Sequence, residues 1–118
     1  MSQRHCLALD LADDPQLIAQ YRQAHQRIWP EVAANLRANG VLDMQIWQLG
    51  TRLFMVMEVS ERFSFQALDQ ASANSPRIQE WETLMWRYQR STPWNAPGQK
   101  WVPMDCIFSL AEQPQAPP

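Results

Sequence analysis

Glycine, cysteine and long apolar runs are all scarce in this chain of 118 residues. Its three glycines are too few for the glycine-rich loop that cradles phosphate groups. Cys6 and Cys106 are isolated and fit neither a metal-binding spacing nor a CxxC motif, so we expect reduced thiols that serve packing. No apolar run reaches the roughly 18 residues of a membrane span, and the first residues do not resemble a signal peptide. We therefore expect a cytoplasmic protein that does not cross a membrane.

Positive charge is sparse as well, since the formal net charge is −2 and the isoelectric point is about 5.6. Lysine and arginine form no run, and the aromatic residues are not interleaved with basic ones, so we expect no nucleic-acid partner. The length favours one domain with one core, which we place over residues 1–110. Residues 111–118 are rich in proline, have little to bury and are expected to be disordered.

Tryptophan, in contrast, is abundant, with six residues in the chain. Indole rings beside a polar cavity can stack on sugars, but they also fill protein cores and dimer interfaces. Both interpretations stay open for Trp29 and Trp81. We expect Trp86, Trp94 and Trp101 at an interface between subunits.

The pattern of apolar residues predicts strands over residues 4–11, 41–49, 52–59 and 101–110, and helices over residues 15–39, 63–73 and 76–88. Pro30 lies inside the first helix and is expected to kink or break it near residues 26–29. Gly50 and Thr51 predict a hairpin turn. The order β-α-β-β-α-β is typical of the ferredoxin-like class, an α+β fold with a four-stranded antiparallel sheet and helices on one face. Because the other face needs a cover, we expect a homodimer with a dimeric α/β-barrel-like assembly.

The stretch from Tyr21 to Glu31 is the most informative part of the chain. Tyr21, His25 and Trp29 are four residues apart, so on a helix they point the same way. An imidazole that titrates near neutral pH, flanked by aromatic rings, suits a proton-transfer site for a small polar ligand. The same stripe is also typical of core packing.

Several elements together resemble the L-rhamnose mutarotase family, from about Arg4 to Leu110. They are Tyr21-x3-His25-x3-Trp29-Pro30-Glu31, Gly40, Leu53-Phe54 followed by Glu58, Gln79-x-Trp81 with Met85, and Phe108-x-Leu110. The resemblance implies a dimeric ferredoxin-like domain that interconverts the α and β anomers of a 6-deoxyhexose, an isomerase of the aldose 1-epimerase type. It also implies that no cofactor or metal is needed, and that Tyr21, His25 and Trp81 form the sugar pocket.

Two positions depart from the family pattern. The family often has two adjacent tryptophans where this chain has Trp81 and Glu82, and a tyrosine where it has Met44. Both lie where the resemblance places sugar recognition, so L-rhamnose and L-fucose are both candidate substrates. A glutamate in place of an indole would exchange stacking for a hydroxyl acceptor.

Anomer exchange needs a proton at the ring oxygen and the loss of one from the C1 hydroxyl. We assign His25 as the acid at the ring oxygen, with Tyr21 orienting it or binding a hydroxyl, and Trp81 and Trp29 stacking on the sugar. The base stays open between Asp10 and Asp105, which interrupt apolar strands, and a water molecule.

Two other functions remain open from the sequence. One is a dimeric α/β-barrel monooxygenase or isomerase acting on a small aromatic substrate, which the tryptophan and methionine content would suit. The other is a dimer that binds a small molecule without catalysis. The loop over residues 91–100 could close over the site of its own chain or of a partner.

Overall fold

The sheet is organised around its first strand, β1 (Gln3–Leu11), in a computed structural model that describes residues 2–117. Antiparallel β3 (Arg52–Val59) pairs with β1 over eight consecutive residues, and β2 (Val41–Leu49) adds to the outer edge of β3. Side chains of a strand alternate between faces, so Leu7, Leu9 and Leu11 are buried beneath the helices. Met1, the first residue of the predicted domain, and Pro118, the last residue of the predicted tail, lie outside the described residues.

The predicted hairpin is confirmed. Strands β2 and β3 join through Gly50, whose φ of 58° lies in the left-handed region that glycine adopts without steric cost. Register places Met44 beside Met57 and Ile46 beside Met55. These side chains share the face that the helices cover.

The predicted break at Pro30 is also confirmed, because two helices replace one. Helix α1 (Pro15–Ala24) begins at an Asp14 cap that accepts hydrogen bonds from the amides of Gln16 and Leu17. Helix α2 (Pro30–Ala38) starts with the proline as its first residue. The five residues between them carry His25 and Trp29 at the two helix ends.

The second helical pair has slightly shorter helices than predicted. Helix α3 (Phe65–Ala73) begins two residues late, because Ser64 caps it by accepting from the amide of Ala67. Helix α4 (Pro76–Trp86) starts after a Ser75 cap and ends two residues early. The chain then turns into the sheet, where the carbonyl of Tyr88 accepts from the amide of Ala12 at 2.8 Å.

The prediction of one long last strand over residues 101–110 is wrong. Two-residue strands, β4 (Gln89–Arg90) and β5 (Val102–Pro103), share the free edge of β1. Pro103 has no amide hydrogen and cannot donate a hydrogen bond to the neighbouring strand. The amide of Met104 donates to the Cys6 carbonyl, and the chain then leaves the sheet. The sheet therefore has five strands instead of the predicted four, in the order β2-β3-β1-β4 with β5 also on β1.

The two faces of the sheet have different surroundings. Four helices lie over one face, where the buried residues form two clusters, one around Tyr21, Trp81 and Met85 and one around Met57 and Val59. The opposite face leaves Trp47 60% and Leu49 75% exposed. Among residues 2–117, no helix is long and apolar enough to cross a membrane.

Candidate active site

A cavity of about 680 Å³ lies between the helices and the sheet. Its floor is apolar and comes from the inner face of the sheet, mainly Leu7, Met44, Ile46, Met55 and Met57. Helices α1, α2, α3 and α4 and the loop before β5 supply the walls, where the polar side chains are found. An apolar floor with a few polar groups in the walls is typical of small-molecule sites.

His25 projects into this cavity from the C-terminal end of α1. Its Nδ1 lies 2.9 Å from the carbonyl oxygen of Tyr21. A carbonyl can only accept, so Nδ1 carries the hydrogen and Nε2 keeps its lone pair. Burial lowers the pKa of His25 below 6.5, although the bond to the Tyr21 carbonyl opposes this shift. At neutral pH the resting imidazole is therefore a neutral base, whereas the sequence suggested an acid.

Tyr21 and Trp81 flank the imidazole. The Tyr21 ring centroid lies 4.2 Å and the Trp81 centroid 5.5 Å from that of His25. Trp29 does not line the cavity, contrary to the expectation that it contacts a ligand. It packs edge-on behind Trp81 at 5.2 Å, while the guanidinium of Arg77 stacks on it at 3.6 Å. Trp29 thus holds Trp81 in place.

The hydroxyl of Tyr21 belongs to a buried polar pair. It accepts a hydrogen bond from Nε2 of Gln89 at 3.3 Å. Burial raises the pKa of Tyr21 to about 12, the Gln89 bond opposes the rise, and the charge of Glu82 adds to it. The phenol thus keeps its proton across the working range of an enzyme. Gln89 was missed from the sequence, because 68 residues separate it from Tyr21 and no local pattern joins them.

Glu82, predicted to bind the sugar, lines the cavity and has a partner that the sequence did not suggest. Its carboxylate accepts from the ammonium of Lys100 at 2.6 Å, and this ammonium lies 4.7 Å from the Trp86 ring centroid. Asn95 fixes the loop by donating to the carbonyls of Gln99 and Lys100. Lys100 is the only lysine in the sequence, a signal that could have drawn attention to it.

The predicted acidic residues of the strands lie elsewhere. Asp10 is on the opposite face of the sheet, where Nε of Arg52 donates to it at 2.8 Å and a second guanidinium nitrogen at 3.2 Å. Strand alternation explains this, because Asp10 lies between the inward-facing Leu9 and Leu11. Asp105 is exposed, beyond β5. Neither lines the cavity, which corrects the expectation that Asp10 contacts the ligand or that either is the base.

The structure also places four other residues that the sequence singled out. Met44 lines the cavity and also a second one of about 410 Å³, which His25 lines as well. Trp86 and Trp101, expected at an interface, line the main cavity of their own chain. Trp94 instead lies 70% exposed with the Arg52 guanidinium 5.1 Å from its ring centroid.

Metal ligands and disulfides are absent from the part of the chain that the structure describes. Within residues 2–117, no group of three histidine, cysteine, aspartate or glutamate side chains could hold a metal ion. Cys6 and Cys106 are both free. The titratable side chains that line this cavity in the described part of the chain are those of Tyr21, His25, Asp69, Glu82 and Lys100.

Comparison with known proteins shows the family of this chain. The L-rhamnose mutarotase family model matches residues 4–110. A protein named L-fucose mutarotase from Xanthomonas campestris is 46% identical over 93% of this chain and 90% of its own. One named L-rhamnose mutarotase from Leptothrix cholodnii is 34% identical over 82% and 88%.

A solved structure supports the fold. The crystal structure of an L-rhamnose mutarotase from Formosa agariphila superposes with a TM-score of 0.68 at 21% identity, and covers 92% of this chain and 98% of its own. The family match and the two close relatives each span most of the chain. This chain belongs to the L-rhamnose mutarotase family.

Proposed function

We propose that this protein interconverts the α and β anomers of a 6-deoxyhexose, with His25 as the proton carrier and with no cofactor. The observation that carries the proposal is the neutral imidazole, half-buried beside Tyr21 and Trp81 in a cavity of about 680 Å³. Relatives named L-fucose mutarotase and L-rhamnose mutarotase support the same activity.

A single imidazole is enough for this reaction, because the ring oxygen and the anomeric hydroxyl are bonded to the same carbon. Nε2 of His25 takes the proton of the C1 hydroxyl, and the electron pair forms the aldehyde carbonyl while the C1–O5 bond breaks. The imidazolium then returns the proton to O5. Rotation about C1–C2 and reversal of these steps close the ring on the other face of C1. General acid/base catalysis of this kind contributes about 10²–10⁴-fold.

The neighbours of His25 then bind and orient the sugar. Tyr21 keeps its proton and can donate to a sugar oxygen, while Trp81 offers an apolar ring to the C–H face or the methyl group. Met44 and the other methionines of the floor contact the apolar side of the ring. Asp10 has no part in this scheme.

L-fucose is the preferred sugar in this proposal, ahead of L-rhamnose. The two sugars differ in configuration at C2 and C4, so hydroxyl contacts must distinguish them. Glu82 and Lys100 place an acceptor and a donor 2.6 Å apart on the cavity wall, where they can bind two neighbouring hydroxyls. The 46% identical relative named L-fucose mutarotase supports this order of preference.

A homodimer of ferredoxin-like subunits, in a dimeric α/β-barrel arrangement, belongs to the same proposal, as does a cytoplasmic location. The uncovered sheet face supports the homodimer, because this face exposes Trp47 and Leu49 beside the half-buried Phe54 and Val56. Light scattering tests the dimer directly. Trp47→Glu would weaken the dimer if this face is the interface. A glutamate introduced at an exposed helical site, Gln66→Glu, would not.

Saturation-transfer proton NMR on equilibrated L-fucose and L-rhamnose tests the activity. Irradiating one anomeric proton is expected to reduce the intensity of the other only when the intact protein is present. Transfer with L-fucose at lower protein concentration than with L-rhamnose would support the preference. Binding of either sugar without transfer would instead favour a non-catalytic binding protein, and binding of small aromatic compounds alone would favour the aromatic-substrate enzyme.

A further inference from the structure

Gln89 carries a buried polar atom that the chain does not use. The residue is 3% exposed and lies on β4 opposite Leu11. Its Nε2 donates to the Tyr21 hydroxyl, but its Oε1 has no hydrogen-bond partner among the described residues. Gln89 also lines the main cavity.

An unpaired buried carbonyl is costly, because it loses its hydrogen bonds to water on folding and gains none. A methionine or leucine at position 89 would fill the same space beside Leu11 without that cost. The fold alone therefore does not require an amide here, and its position in the cavity wall directs attention to a ligand.

Ser60 offers a comparison within the same chain. Its Oγ is the other buried side-chain atom in the described residues without a hydrogen-bond partner. A Cβ added at Gly40 would lie 2.8 Å from this oxygen. Ser60 does not line the cavity. The two residues thus differ in that only Gln89 lines the cavity.

We infer that Oε1 of Gln89 accepts a hydrogen bond from a non-anomeric hydroxyl of the bound sugar, while Nε2 of the same amide positions the Tyr21 hydroxyl. This inference rests on the proposed function and names a further substrate-binding residue. It makes Gln89 a link between recognition and orientation, because one planar amide fixes both a substrate hydroxyl and the phenol beside His25.

The first test compares the parent protein with Gln89→Met on L-fucose and on its 2-deoxy, 3-deoxy and 4-deoxy analogues. On L-fucose, kcat/KM is expected to fall about 10-fold, the loss that corresponds to one neutral hydrogen bond. With the analogue that lacks the contacted hydroxyl, the variant and the parent are expected to differ much less. An equal loss on all four sugars, or no loss on any, would overturn the inference.

Thermal unfolding separates a ligand contact from a structural role. Gln89→Met removes a buried carbonyl oxygen without a partner together with the hydrogen bond that Nε2 donates to the Tyr21 hydroxyl, so its Tm without sugar is expected to stay within about 4 °C of the parent. A larger fall would show that the amide serves the fold and would count against the inference. Ser60→Ala is the matched control, with a similar expectation for Tm and unchanged anomer exchange.

The same measurements distinguish this inference from the proposed function. If the parent protein exchanges none of these sugars, the proposed function fails and the contact fails with it. If the parent is active and Gln89→Met is equally active on every sugar, only the role of Gln89 is overturned.

Discussion

Two groups of residues that line the cavity, which we call its histidine end and its lysine end, differ in the charges that they carry. At the histidine end, formed by Tyr21, His25 and Trp81, burial keeps the imidazole neutral and the phenol protonated. At the lysine end, formed by Glu82, Lys100 and Trp86, two full charges face each other at 2.6 Å. A neutral base suits proton transfer, whereas a fixed pair of charges suits hydroxyl recognition. We therefore expect reaction and selectivity to depend on different residues, so that each can be changed separately.

Removing the base should give the largest effect. His25→Ala is expected to lower the exchange rate about 10²–10⁴-fold, because it removes the one histidine that lines the cavity among the described residues. Saturation-transfer NMR measures the rate. His5→Ala is the matched control, since His5 packs against Phe63 and Phe65 and does not itself line the cavity. Equal activity of both variants would remove His25 from the mechanism.

Changing the lysine end should alter selectivity more than rate. Glu82→Trp restores the adjacent tryptophans of the family and removes the carboxylate that pairs with Lys100. The ratio of kcat/KM for L-fucose to that for L-rhamnose is expected to fall about 10-fold or more, in the range that pocket contacts commonly provide. Glu80→Trp is the control, because Glu80 is exposed on the same helix and pairs with Arg77. A loss of rate on both sugars with an unchanged ratio would contradict the separation of the two ends.

Lowering the pH should reduce activity, because His25 becomes protonated and can no longer act as a base. Because the pKa of His25 is lowered below 6.5, kcat/KM is expected to stay level at neutral pH and to fall below that lowered pKa. Between 6.5 and that lowered pKa the unfolded chain binds a proton that the folded chain does not, so the free energy of unfolding falls as pH falls through this range. Titration of the His25 ring proton by NMR measures the pKa, and a value at or above 6.5 would contradict this prediction.

Asp10 should have the smallest effect, because it lies on the other side of the sheet. Asp10→Asn removes the charge that Arg52 contacts at 2.8 Å but leaves both ends of the cavity intact. Exchange of L-fucose is expected to be unchanged. A fall of about 10²-fold, the size expected for a lost base, would return Asp10 to the mechanism.

Local features of the sequence predicted the secondary structure around the site well. Pro30 can only begin a helix or break one, so the separation of α1 from α2 followed from a single residue. Tyr21 and His25 share a face because they are four residues apart on α1. Gly50 marked the hairpin for a similar local reason, since it adopts a positive φ.

Contacts between distant segments were the part that could not be predicted. Gln89 reaches Tyr21 across 68 residues, and Lys100 reaches Glu82 across 18 residues through a loop that Asn95 pins. The fourth and fifth strands were missed for the same reason, because two residues of pairing leave no periodicity to detect. Asp10 was misplaced because alternation shows that it faces away from Leu9 but not which face holds the cavity.

The sequence by itself determined the helix break, the hairpin, the aromatic and histidine face of α1 and the resemblance to a mutarotase family, because each depends on short-range geometry or on a motif. Only the tertiary structure decided the tautomer and charge of His25, the pairing of Glu82 with Lys100 and the unpaired oxygen of Gln89. Each of these depends on burial and on atoms that the fold brings together from distant parts of the chain, and neither is encoded in local spacing.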